Sequence, residues 1–207
     1  MVDGSMVPIF AWPHHFGNSF FDWKHQYSMN IQIISSPTLD IFDYGVRLPG
    51  SQHNVMAWWL TQLIDEHQVW LGEGEWVWAD TAYPLDNWVI APYKWPEKLQ
   101  ADNATFNYWV SQVQVKSEHC IGFLKGQFNS LHGLQVQINS QQNLAFASLL
   151  IVACIVIHNF SLKMECADGT DFNSNTFFLQ RDYISFKKNR TQHGNKIGST
   201  RATCKKL

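Results

Sequence analysis

The sequence predicts a mixed α/β domain with a partly antiparallel sheet. Three observations carry this: a long stretch of strict alternation near the start, two short apolar strands after a first helical segment, and two apolar-periodic helices near the end. The 207 residues are 45% apolar and 14% aromatic, with ten Trp and fourteen Phe, which is enough apolar surface for a packed core and excludes disorder throughout.

The elements follow in order. Val2-Asp3-Gly4 and the residues after it leave room for a strand stub, with Asp3 at its end. From Phe21, apolar residues alternate with polar ones through Tyr27, Met29, Ile31 and Ile33, which predicts one long half-buried strand. Ser35-Ser36-Pro37 marks a turn, and Leu39 to Val46, a run that ends at Pro49-Gly50, predicts the second arm of an antiparallel hairpin. His53 to Leu71 predicts a helix with Val55, Trp58, Trp59, Leu63 and Val69 on its apolar stripe. Glu75 to Ala79 predicts a buried strand with Asp80 at its C-terminal end, and Trp88 to Ala91 predicts another. Phe106, Trp109, Val110, Val113, Ser117, Cys120, Ile121, Leu124, Phe128 and Leu131 recur at spacings of three and four, the signature of a long helix. Leu144 to Phe160 predicts the last helix. Its uninterrupted apolar run, Leu144 to Ile157, is short for a membrane span and predicts a core helix, with no membrane association.

Charge divides the chain. Residues 181–207 carry a net +7 and residues 1–180 a net −9. The expected organisation is therefore a domain over residues 1–160 and a polar, basic, flexible tail over 161–207. The overall balance of −2 argues against a wholly basic nucleic-acid binder. Four scattered cysteines form neither a disulfide framework nor a zinc pattern, and no secretory leader precedes the domain, so an intracellular setting is expected.

Three carboxylates stand out by position. Asp3 and Asp80 sit on strand ends, and Glu118 sits on a helix that must pack on the sheet. Acids from two strands and one helix can meet at a sheet edge and hold Mg²⁺, which favours carboxylate oxygens together with phosphate and water. The plainer alternative is that the aspartates are turn formers and the glutamate is solvated. Lys125 follows Glu118 by seven residues, about 20° from eclipsed, and shares its helix face.

Five segments occur in a telling order: Val2-Asp3-Gly4-Ser5, Leu48-Pro49-Gly50-Ser51-Gln52-His53-Asn54, Trp78-Ala79-Asp80-Thr81-Ala82-Tyr83-Pro84-Leu85, Ser117 to Phe128 (SEHCIGFLKGQF), and Ile151 to Phe160 closing on His158-Asn159-Phe160. Together they resemble the DDE superfamily endonuclease domain of Harbinger-type transposases, including the fungal branch, over about residues 2–160. The resemblance implies a ribonuclease H-like fold and a DNA-cleaving site dependent on Mg²⁺ or Mn²⁺. It implies Asp3, Asp80 and Glu118 as catalytic metal ligands, Asn54 as a weak ligand where the family carries an Asp, and Lys125 and Lys116 as DNA contacts. It also implies a nuclear setting and a separate Myb-like DNA-binding partner.

The chain departs from the family pattern at Asn54, which offers a neutral oxygen, and at Gln127, which replaces an Arg. Only two residues precede Asp3, so the first strand is expected to be truncated. The alternative function is accordingly a catalytically inactive remnant, or a DNA- or protein-binding module.

Overall fold

The computed structural model describes residues 1–14 and 16–167. Residues Met1–Leu162 form one compact unit. At its centre three antiparallel strands lie in the order β1 (Val2–Pro8), β2 (Ser28–Ser35), β3 (Ile41–Pro49). The β1–β2 register runs from Val2↔Ile34 to Pro8↔Ser28, so Asp3 faces Ile33 across the pair. The first strand is thus seven residues long, and Asp3 lies near its start rather than at its end.

The long alternating strand does not form. Residues 21–27 are a loop, because the Asp22 carboxylate gathers its own neighbours: Oδ1 accepts from the Lys24 N–H at 2.8 Å and the Gln26 N–H at 3.2 Å, and Oδ2 accepts from the Ser28 hydroxyl at 2.7 Å. His25 takes the left-handed conformation, φ 62°, that the turn requires. What remains, β2, is buried along its whole length instead of on one face. Its polar residues are buried because they are bonded: Asn30 Nδ2 donates to Gln52 O at 2.8 Å, and Gln32 Nε2 donates to Asp3 O at 2.9 Å.

The predicted helix over 53–71 is two helices, α1 (Asn54–Trp58) and α2 (Leu63–Trp70). The break is set from β3, where Asp43 Oδ2 accepts the Leu63 N–H at 2.8 Å at the head of α2. Before α1 the chain squeezes past β2 at Gly50. A Cβ there would lie 2.7 Å from Ser28 O and 2.9 Å from Phe20 O, so only glycine fits.

Strands β4 (Val77–Trp78) and β5 (Val89–Ile90) pair in parallel as a separate two-stranded sheet. Side chains rather than backbone bonds join β4 to the large sheet: Val77 and Ala79 pack with Val2, Ile34, Trp58, Leu63, Tyr83 and Val89 in one cluster. Trp58, almost fully buried, stacks on Trp88 at 5.5 Å and meets the Tyr83 edge at 5.7 Å.

Helices α3 (Ala101–Gln127) and α4 (Gln141–Ala167) complete the fold. The segment after α3 returns to β1, with Phe10 N bonded to Leu134 O and Leu134 N to Pro8 O. The inner face of α4 buries Ala147, Ile151, Ile155 and His158. His158 Nε2 meets Leu39 O at 3.0 Å and Nδ1 meets Gln127 Oε1 at 2.7 Å. Burial lowers the pKa of this imidazole and favours the neutral ring. A neutral ring that donates to Leu39 has an acceptor at Nδ1, so the Gln127 amide turns its NH₂ toward it. Asn159 serves as a strand partner for Ile41, accepting its N–H at 2.9 Å and donating to its carbonyl at 2.6 Å. The closing His-Asn pair therefore fixes the β2–β3 turn. The helix continues to Ala167, seven residues into the segment expected as tail. The basic stretch 181–207 lies outside the described residues.

Candidate active site

Alternation along β1 sends Asp3 to the opposite sheet face from Val2, toward α3. Helix α3 is pinned to the same strand by Lys125, whose Nζ donates to Met6 O at 2.7 Å. From that pin, Glu118 lies seven residues back, about 10.5 Å along the helix. Asp3 lies three residues back from Met6, about 10 Å along the strand. The Glu118 charge acts on the Asp3 carboxyl, so the two acids share one neighbourhood.

Asp80 arrives from the other side, directly after β4. The turn it begins is closed by Tyr83 N–H on Asp80 O at 3.1 Å. Both aspartates are oriented in the same way, by the backbone N–H of the next residue. Gly4 N donates to Asp3 Oδ1 at 2.7 Å and Thr81 N to Asp80 Oδ1 at 2.6 Å, with the Thr81 hydroxyl adding a bond at 3.2 Å.

The acids feel one another. The Asp3 carboxyl is pushed up from 3.8 to about 6, first by burial and then by the charges of Glu118 and Asp80, against the Gly4 hydrogen bond that favours ionisation. Glu118 is exposed and Asp80 half-buried, so the site opens to solvent on the helix side.

A buried relay ties the Asp80 turn to the Asp3 strand. Tyr83 donates its hydroxyl proton to Gln32 Oε1 at 2.9 Å, and Gln32 Nε2 donates to the Asp3 carbonyl at 2.9 Å. Burial pushes the Tyr83 phenol up, and the Asp3 and Asp80 charges add to this, so it stays a donor. Tyr83 is legible in the sequence only as part of its motif, and Gln32 only as one polar residue of an alternating strand. An uncharged amide in the middle of a strand carries no signal until its partners are known.

Of the other expected residues, Asn54 opens α1, and the structure describes only its backbone place. Lys125 already spends one donor on Met6, and its ammonium pKa is lowered, first by burial and then by Lys24. Lys116 is exposed and stands nine residues from Lys125, on the opposite side of α3. It is not gathered with the acids.

Three neighbouring carboxylates have the donor chemistry of a hard divalent cation, whose charge offsets their repulsion. They stand as neighbours rather than as a closed ligand shell: among the described residues, no group of three or more His, Cys, Asp and Glu side chains is gathered tightly enough to hold an ion.

No curated protein and no solved structure matches the chain. A family model described as DDE superfamily endonuclease matches residues 2–159, which include all three carboxylates. The chain belongs to the DDE superfamily endonuclease family, a group of transposase-like nucleases.

Proposed function

We propose that this domain is a divalent-metal-dependent DNA endonuclease of the Harbinger transposase type, with a ribonuclease H-like fold. The observation that carries the proposal is the electrostatic coupling of Asp3 to Asp80 and Glu118, three acids on separate elements. Asp3, Asp80 and Glu118 would hold Mg²⁺ or Mn²⁺. When bound, the metal supplies Lewis acidity and a water acidic enough to attack a phosphodiester at neutral pH. The chain's own residues prepare this. Gly4 and Thr81 aim the two aspartates, the Tyr83–Gln32 relay fixes the distance between their strands, and Asp3 releases its proton as metal binds. In this reading Lys125 contacts the phosphate with its remaining donors.

DNA is the substrate class that the family implies. The net −9 of residues 1–180 disfavours unaided grip on a polyanion. This supports dependence on a separate Myb-like DNA-binding protein and, with the basic stretch 181–207, a nuclear setting. A second reading, an inactive descendant that keeps the fold, is favoured by the open spacing of the acids.

Calorimetric melting with Mn²⁺ tests the proposal against that alternative. Mn²⁺ should raise the melting temperature of the wild type, more strongly as pH rises through about 6, where Asp3 ionises. Asp80→Asn should remove the rise. A melting temperature indifferent to Mn²⁺ at every pH would favour the inactive descendant.

A further inference from the structure

The loop between β1 and β2, residues 10–27, is unlike the rest of the surface. Five large rings stand in solvent there: Phe10 is 70% exposed, Trp12 55%, Phe16 72%, Phe21 44% and Trp23 74%. No Leu, Ile, Val or Met occurs between residues 10 and 27, so the exposed apolar surface is made of flat rings rather than the aliphatic mixture that packs against a protein. Two of the rings, Phe21 and Trp12, are held by neighbours. Phe21 stacks on His25 at 6.0 Å with 2° between planes and meets Tyr27 at 5.3 Å; Trp12 lies against His14 at 5.7 Å. The Trp12 ring also rests on Gly17, where a Cβ would fall 2.8 Å from its Cδ1. The stem is fixed by Ile9 N on Tyr27 O and by the Asp22 bonds described above.

The charge of the loop runs against the acidic domain. Its sole carboxylate is Asp22, which is 3% exposed and already bonded. Its cation is Lys24, exposed, with Nζ 5.1 Å over the Trp23 ring. The Lys24 charge is felt by Lys125, and Lys125 is on the acid-bearing face of α3. Exposed rings, a cation and no free carboxylate form a surface for a flat anionic ligand, on a loop that leaves the end of β1 opposite Asp3.

We propose that this loop is a stacking platform for unpaired bases of the DNA strand presented to the acid site. Bases stack on the rings, and Lys24 takes a backbone phosphate. The inference rests on the endonuclease reading for the nature of the ligand, and on the loop alone for the mode of binding.

The test is fluorescence anisotropy of the full-length protein in chelator, so that no cleavage occurs. The probes are a labelled oligothymidylate, an abasic oligonucleotide of equal length and a duplex. The oligothymidylate should bind about tenfold or more tighter than the abasic chain, which has the charge without the bases. Trp12→Ala and Trp23→Ala should each weaken it by about 5- to 100-fold and leave the abasic chain unaffected. Gly17→Val, which displaces the Trp12 ring, should act like Trp12→Ala. Equal affinity for oligothymidylate and abasic chain, a preference for duplex, or unchanged affinity in the Trp variants would overturn the inference and point to a protein partner for the loop. Because binding is read without metal, such a result would leave the cleavage proposal standing, and loss of cleavage would leave this one standing.

Discussion

At Asp3 the proposed metal-binding role and stability oppose one another within a single side chain. Its pKa is higher in the folded protein than in an unfolded chain, 3.8 rising to about 6. Between those values the folded state binds more protons, so metal-free stability falls as pH rises and is lowest once Asp3 is ionised. A shift of that size corresponds to about 3 kcal/mol at most. Asp3→Asn keeps the oxygen that accepts the Gly4 N–H and removes the charge. The variant should melt higher than wild type at pH 7 without metal, lose most of the pH dependence between 3.8 and about 6, and fail to respond to Mn²⁺. A variant less stable than wild type at neutral pH would show that the Asp3 charge is already compensated.

At the scale of elements, backbone pairing stops short of the site. Strand β4 pairs with β5, and its link to the central sheet is a packed cluster and the Tyr83–Gln32 bond. Tyr83→Phe keeps the ring against Trp58 and leaves the buried Gln32 oxygen without its donor, a loss of about 1–3 kcal/mol in denaturant melts. Mn²⁺ affinity should drop by more than an equally destabilising change in the core produces, because the Asp80 turn is no longer tied to the Asp3 strand. Equal losses would make Tyr83 a packing residue only.

The same scale shows what was legible in the sequence. Long helices and the β2–β3 hairpin were, because their periodicity extends over many residues and Ser35-Ser36-Pro37 marks the turn. The strand over 21–33 was half wrong. Its alternation is real, but Asp22 offers the backbone a local partner, and no pattern of hydrophobicity reports that competition. The helix over 53–71 was read through its break for a related reason: the residue that sets it, Asp43, sits 20 positions away on another strand. The acids were found by their places on elements and by resemblance, whereas their spacing and the Gln32 relay depend on tertiary contacts.

The whole molecule combines an acidic domain, an aromatic loop and a helix that is apolar on two sides. Helix α4 turns Ile151, Ile155 and His158 inward while Phe146, Leu149, Val156 and Phe160 stay largely exposed. By length and composition Gln141–Glu165 also passes as a membrane-crossing helix, but His158 and Asn159 bind it to the β2–β3 turn as a packed element. In the proposed function, the sheet, the two long helices and the relay serve one arrangement: Asp3, Asp80 and Glu118 as neighbours at an open edge. Nicking of supercoiled plasmid by the purified full chain in Mn²⁺, beside Asp80→Asn, tests this most directly. Relaxed circles are expected from the wild type in Mn²⁺, with none in chelator and none from the variant. Equal nicking by both proteins, or intact plasmid with both at saturating Mn²⁺, would contradict it.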